Sequence, residues 1–154
     1  MRRSIRLAFW TVTAGAIAAS AAIAALATEG GRTYTVSLEG EVEVPPGDLD
    51  GTGTAEITVN VPQRRVCYEL TVSGIDPATA AHIHPGAAGT TGPPLITLEA
   101  PTDGSSSGCV DDLDAQLVAQ LLARPYEYYV NVHNATHPPG AVRGQLAARP
   151  GNSD

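Results

Sequence analysis

Four segments of the chain place β-branched or aromatic residues at every second position, and this alternation limits the fold more than any other feature. The segments are RTYTVSLEG, TAEITVNVP, RVCYELTVSG and EYYVNVH, at residues 32–40, 54–62, 65–74 and 127–133. Side chains alternate between the two faces of a strand, so the pattern predicts strands with one buried face.

The segments between these strands are rich in glycine and proline. The chain has sixteen glycines and twelve prolines, which predicts short strands joined by tight turns. The segments expected to be loops are residues 45–53, 74–80, 85–94 and 101–108.

One helix is predicted, near residues 112–123. Leu113, Leu117 and Leu121 recur at a spacing of four, Asp111 or Asp112 is expected to cap the start, and Pro125 to end the helix. One short helix among about seven or eight strands indicates an all-β protein. The expected architecture is an antiparallel Greek-key β-sandwich, of the immunoglobulin or superoxide dismutase type.

The first 27 residues have the pattern of a secretory signal peptide. Three arginines precede an uncharged run that ends in the small-residue triplet Ala25-Leu26-Ala27. The run is also long enough to span a bilayer, so an uncleaved anchor is the alternative. Residues 28–149 are then expected to form one domain, secreted or on the extracytoplasmic cell surface, followed by a flexible tail at residues 150–154.

Acidic charge dominates after this segment. Three of the nine arginines lie in the first 27 residues, whereas all sixteen acidic residues follow them, which leaves a formal charge of −10 on residues 28–154. Such a surface repels phosphate backbones and argues against nucleic acid as a partner. The expected partner is an extracellular protein or small ligand, with membrane contact only through the N-terminal segment.

Cys67 and Cys109 are the two cysteines of the chain. An isolated pair in an exported protein usually forms a disulfide, and the redox motif CxxC is absent. A disulfide is therefore predicted, with two buried free thiols as the alternative.

All four histidines lie in two short stretches, AHIHPGAAGTTGPP and VNVHNATHPPG. If residues 81–84 form a strand, its pleat sends His82 and His84 to one face. In the later stretch His133 ends a strand next to a loop, and His137 lies in the following turn.

The same rule sorts the strand at residues 127–133. Its members expected to face the core are Tyr128, Val130 and Val132, and those expected on the opposite face are Tyr129, Asn131 and His133.

Three neutral imidazoles from two strands suit copper or zinc, provided that the two strands are neighbours. The candidate ligands are His82, His84 and His133, with His137 the weakest candidate. The alternative interpretation is that these are solvated or hydrogen-bonded histidines at a loop edge.

The chain lacks the motifs of the common catalytic sites: it has no GxSxG elbow, no HExxH and no Walker loop. Asp48 and Asp50 lack the spacing of a calcium-binding loop. The expected role is therefore a non-catalytic binding module, and the alternative is a copper-dependent redox enzyme.

Three stretches, residues 38–59, 67–98 and 128–146, together resemble the CHRD domain, a module first described in chordin and widespread in exported bacterial proteins. Its markers here are the EVPP turn at 43–46, the AHIH-G pattern at 81–86, Gly92-Pro93 and the closing YVNVH and PGxxRGQL. The resemblance covers almost all of residues 33–147. At Pro138-Pro139-Gly140 the chain lacks the second glycine typical of the family.

The resemblance implies an extracellular β-sandwich module without an established enzymatic activity, here from a bacterium. The order of the histidines is also distantly similar to the copper site of Cu/Zn superoxide dismutase, without that enzyme's bridging histidine and zinc ligands. Of the family's recurrent residues, Asn131, Arg143, Gly144 and Gln145 are expected to be structural. Arg143 would bridge to Asn131 or to a buried carbonyl, and Gly144 would allow close backbone approach.

Overall fold

A computed structural model describes residues 31–148, and within them the protein is all-β with one α-helix. The eight strands are β1 (Arg32–Glu39), β2 (Thr52–Asn60), β3 (Arg65–Ser73), β4 (Ala78–Pro85), β5 (Ile96–Leu98), β6 (Ser105–Val110), β7 (Tyr128–Asn134) and β8 (Val142–Gln145). Helix α1 spans Ala115–Ala123, and a 3-10 turn follows at Pro125–Glu127. The predicted signal peptide and tail lie outside the described residues.

The strands form one antiparallel sheet in the order β5-β4-β7-β8-β1-β2-β3-β6. The sheet is nearly closed, because its two edges meet at Glu99. The Glu99 N–H donates to Tyr68 Oη at 2.9 Å, and the Glu99 carbonyl accepts from Ser106 Oγ at 2.7 Å. The prediction of an antiparallel all-β fold with one short helix is confirmed, whereas the two-sheet sandwich and its Greek-key connections stay predictions.

The core lies on the face of the sheet that the sequence alternation predicted. On β1, Tyr34, Val36 and Leu38 are buried while the residues between them are exposed. On β7, Tyr128, Val130 and Val132 are buried in the core, as expected. Helix α1 adds the fully buried Val118 and Leu121 to the same core. Within residues 31–148, no helix is long and apolar enough to cross a bilayer.

The expected disulfide joins Cys67 on β3 to Cys109 on β6, where the two residues lie directly opposite each other. Strand β6 starts inside residues 101–108, which were expected to be a loop, and that expectation is wrong for Ser105–Gly108. The six-residue pairing of β6 with β3 supplies backbone hydrogen bonds that outweigh the weak strand preference of serine and glycine.

Asp114, rather than Asp111 or Asp112, caps helix α1. Its side chain accepts a hydrogen bond from the Leu117 N–H at 2.9 Å. Asp111 and Asp112 instead pair with Arg65 and Arg64. The predicted cap was wrong because these two carboxylates lie before the chain enters the helix, facing the β2–β3 turn.

Candidate metal centre

Strands β4 and β7 are adjacent and antiparallel, a relation that the sequence left open. In their register His82 lies opposite Asn131, His84 opposite Tyr129, and His133 opposite Ala80. The alternation of side chains therefore places all three imidazoles on the outer face of the sheet, away from the core. The structure brings the three predicted ligands together.

One ring nitrogen from each of His82, His84 and His133 lies within 4.8 Å of the other two. The shortest approach is 3.0 Å, between His82 Nδ1 and His133 Nε2. His137, the fourth candidate, is not a member of this cluster, and its Nδ1 lies 3.9 Å from Asp48 Oδ2. We call His82, His84 and His133 the histidine cluster.

Backbone carbonyls fix the tautomers of two of these rings. His84 Nδ1 lies 2.9 Å from the Gly92 carbonyl oxygen, and His133 Nδ1 lies 2.9 Å from that of Pro138. A carbonyl accepts only, so each Nδ1 carries the proton and each neutral ring keeps a lone pair on Nε2. The His84 Nε2 atom is buried and has no hydrogen-bond partner among the described residues.

Burial favours the neutral form of two rings of the cluster. It lowers the pKa of His82 below its usual value, and the nearby His133 and His84 lower it further. Burial also lowers the pKa of His133; the Pro138 carbonyl opposes this shift, and His84 adds to it. Both rings are thus held in the neutral form that binds metals.

The spacing of the cluster fits a single transition-metal ion. Zinc and copper bind imidazole nitrogen at about 2.0–2.1 Å, which places tetrahedral ligand atoms about 3.3 Å apart. The three ligand nitrogens lie between 3.0 Å and 4.8 Å from one another. Small rotations of the rings would therefore bring them to the spacing of about 3.3 Å of a tetrahedral site. His84 is buried, whereas His82 and His133 are partly exposed, so an ion here keeps one side open to solvent.

A layer of polar side chains lies beside the cluster, on the same outer face. Its members are Glu43, Tyr129, Asn131 and Arg143, which we call the polar layer, and all four are buried. The Arg143 guanidinium lies 3.6 Å from the centre of the Tyr129 ring, and the His84 ring stacks on Tyr129 at 4.9 Å. The layer is therefore in direct contact with a predicted ligand.

Loops cover this layer and remove it from solvent. They are residues 40–51, 86–95 and 135–141, which connect β1–β2, β4–β5 and β7–β8. Sequence reasoning missed Glu43, whose only signal was its place in the EVPP turn. Burial raises the pKa of the Glu43 carboxyl, while the charge of Arg143 and hydrogen bonds from Asn131 and Val44 oppose the rise.

The other expected structural residues also lie here. Arg143 Nη1 donates to the Thr90 carbonyl at 2.9 Å. Gly144 packs so closely on β1 that a Cβ atom would lie 2.0 Å from the Ser37 carbonyl oxygen. Gln145 Nε2 donates to the carbonyls of Gly86 and Tyr126. These contacts hold the loops against the sheet around the candidate site.

Comparison with known proteins gives one relationship. No curated protein and no solved structure matches the chain. The family model of the CHRD domain matches residues 34–146. This range includes helix α1, the histidine cluster and all eight strands apart from the first two residues of β1. Since this match covers well over half of the sequence, the chain belongs to the CHRD domain family.

Proposed function

We propose that the protein is a secreted or cell-surface binding module that holds one copper or zinc ion through His82, His84 and His133. The observation that carries this proposal is the convergence of three ligand nitrogens within 4.8 Å on one face of two adjacent strands. Imidazole is a preferred ligand of both metals, and three protein ligands leave a position for water or a partner.

The hydrogen bonds behind the ligands support the same proposal. A metal-binding histidine usually donates its second ring N–H to a carbonyl or carboxylate, which fixes the ring and its tautomer. His84 and His133 both do so. The buried, unpartnered His84 Nε2 is costly to leave without a partner, and a bound ion would satisfy it.

His82 would complete the set of ligands through its Nδ1 atom. In the structure its Nδ1 faces His133 Nε2 at 3.0 Å, and because His133 Nε2 carries the lone pair, His82 Nδ1–H is the donor. To offer its Nδ1 lone pair to an ion, the neutral His82 ring would pass this proton to solvent and take one up on Nε2, with no net release of a proton.

An extracytoplasmic location is supported by the family, whose members are extracellular-type modules, and by the Cys67–Cys109 disulfide. The N-terminal residues with the signal-peptide pattern are consistent with it. We propose a binding role rather than a catalytic one, because the sequence lacks the GxSxG, HExxH and Walker motifs of the common catalytic sites.

Titration calorimetry with Cu(II) and Zn(II) at neutral pH tests the proposal, on protein freed of any histidine-rich tag. Wild type is expected to bind one equivalent of at least one metal, and His84→Ala is expected to lose that binding. His137→Ala is the matched control, because it removes a histidine outside the cluster and should bind as wild type does.

Two results would contradict the proposal. Wild type that binds neither metal more tightly than His84→Ala would reduce the cluster to ordinary polar residues. Copper-loaded protein that removes superoxide catalytically, and stops doing so in His82→Ala, would replace the binding module with a redox enzyme.

A further inference from the structure

The carbonyls that orient the two fixed histidines belong to loops rather than to strands. Gly92 lies in the 86–95 loop and Pro138 in the 135–141 loop. A loop carbonyl holds a ring only as firmly as the loop itself is held. The residues that anchor these two loops therefore affect the orientation of His84 and His133.

Two members of the polar layer anchor the first loop. The Gly92 N–H donates to Tyr129 Oη at 3.2 Å, and Arg143 Nη1 donates to the Thr90 carbonyl at 2.9 Å. The residue whose carbonyl orients His84 is thus fixed through its own N–H, and the chain is fixed again two residues earlier. The Tyr129 ring also stacks on His84, with the two ring planes 5° from parallel.

A third member reaches the second loop. Asn131 Nδ2 donates to the Pro139 carbonyl at 3.4 Å, next to the Pro138 carbonyl that orients His133. The Glu43 carboxylate packs against the same loop, because a Cβ atom on Gly140 would lie 2.1 Å from Glu43 Oε1. Asn131 lies on β7, the strand that carries His133, and directly opposite His82 on β4.

The composition of this layer is unusual for a purely structural element. Arg143 and Asn131 are both 2% exposed, and each has one side-chain atom, Nη2 and Oδ1, without a partner among the described residues. Unpaired buried polar atoms cost stability, and apolar side chains of similar shape would avoid that cost. Arg143 and Asn131 form directional hydrogen bonds to the loops, which apolar side chains could not form.

We propose that Tyr129, Arg143 and Asn131 are positioning residues that set the geometry of the metal bound by the histidine cluster. They act through the two loops, whose carbonyls hold His84 and His133 in the ligating tautomer. The inference rests on the proposed function, and it assigns to the polar layer a role in metal affinity and coordination geometry.

Tyr129→Phe gives the sharpest test, because it keeps the stacked ring and removes only the hydroxyl that holds Gly92. Tyr68→Phe is a matched control: Tyr68 is also buried, and its hydroxyl also accepts one backbone N–H, from Glu99, away from the cluster. The measurements are Cu(II) affinity by calorimetry and the electron paramagnetic resonance spectrum of the Cu(II)-loaded protein.

Tyr129→Phe is expected to weaken Cu(II) binding by about tenfold, as is usual when a group that orients a metal ligand is removed, and to change the copper hyperfine splitting. Tyr68→Phe is expected to leave both at wild-type values. Arg143→Met and Asn131→Leu are expected to weaken binding by about 10–100-fold. Arg143→Lys, which can still donate to Thr90, should recover part of the affinity.

The outcomes separate this inference from the proposed function. Absence of both Cu(II) and Zn(II) binding by wild type would overturn the proposed function and this inference with it; if wild type binds Zn(II) alone, the variants are compared by their Zn(II) affinity. Binding by wild type, together with wild-type affinity and spectrum in Tyr129→Phe and Arg143→Met, would overturn this inference alone. Equal changes in Tyr129→Phe and Tyr68→Phe would also overturn it, since they would show general destabilisation.

Discussion

The sheet has two halves whose outward faces differ. On β1, β2 and β3 the outward residues are short polar or acidic side chains in contact with solvent, such as Thr35, Glu56 and Glu69. On β4, β7 and β8 the outward residues include His84, Tyr129 and Arg143, and these are buried. We call the first the bare half, which also contains β6, and the second the covered half.

The difference comes from the loops rather than from the strands. Both halves alternate in the same way, and both place an apolar face on the core. Loops 86–95 and 135–141 return across the covered half, whereas the turn between β2 and β3 is short and leaves its face open. Alternation thus identifies which residues face away from the core, but the loops decide whether those residues meet solvent.

The largest expected effect is on the bare half, where the disulfide lies. Replacing Cys67 and Cys109 together by serine is expected to lower the free energy of unfolding by about 4 kcal/mol, from the entropy of the 42-residue separation that the bridge closes. Chemical denaturation measures this loss. Metal affinity of the folded variant should match wild type, because the bridge lies outside the covered half.

Mass spectrometry of unreduced native protein provides the control for that experiment. Two alkylatable thiols in freshly purified protein would contradict the bridge. A variant that unfolds as wild type does would contradict its contribution to stability.

The junction between the halves is expected to be the next most sensitive position. Strands β8 and β1 share one residue pair, Arg143 and Glu39, and Gly144 packs against the backbone of Ser37. Gly144→Ala is expected to lower the free energy of unfolding by about 2–3 kcal/mol, because the new methyl group must push two strands apart. Gly31→Ala is the control, because the nearest atom to its new methyl group would belong to the Thr58 side chain rather than to backbone. An equal loss of stability in both variants would contradict a greater sensitivity of the junction.

Acid should affect the covered half selectively. Metal binding needs neutral imidazoles, and the pKa of His82 and of His133 lies below the usual value of 6.5. Protons are therefore expected to compete with the metal at these two ligands only below pH 6.5, and affinity to decrease there by about tenfold per pH unit for each ligand that must lose a proton. Calorimetry across this range tests the sign, and a loss that begins above pH 7 would show that the rings are not held neutral.

The smallest expected effect is on the bare face itself. Thr35 is exposed and lies opposite the exposed Glu56, so Thr35→Ala is expected to change the free energy of unfolding by less than about 0.5 kcal/mol. Thermal denaturation checks this value. A loss of stability comparable with that of Gly144→Ala would contradict the exposure of Thr35 to solvent.

Alternation and turn composition predicted most of the fold, because each strand's pattern is local. Strand β6 was missed, since its serines and glycine look like a turn and only pairing with β3 makes them a strand. The helix cap was misplaced for the same reason: Asp111 and Asp112 pair with arginines that lie 46 and 48 residues earlier in the chain.

The three candidate ligands followed from the sequence, and their convergence did not. It depends on the adjacency of β4 and β7, whose residues His82 and His133 are 51 positions apart. The burial of the polar layer could not be predicted from the sequence, because that of Glu43 and Arg143 depends on three loops that fold over the sheet. Long-range packing of this kind leaves no periodic signal in a single chain.

The near closure of the sheet also bears on how copies of this protein meet each other. An open sheet edge offers a row of unpaired N–H and C=O groups on which a second chain can add a strand. Here β5 is three residues long, β6 is tied to β3 by the disulfide, and Tyr68 and Ser106 occupy the backbone groups of Glu99 between them. The described part of the chain therefore presents little template for edge-to-edge aggregation.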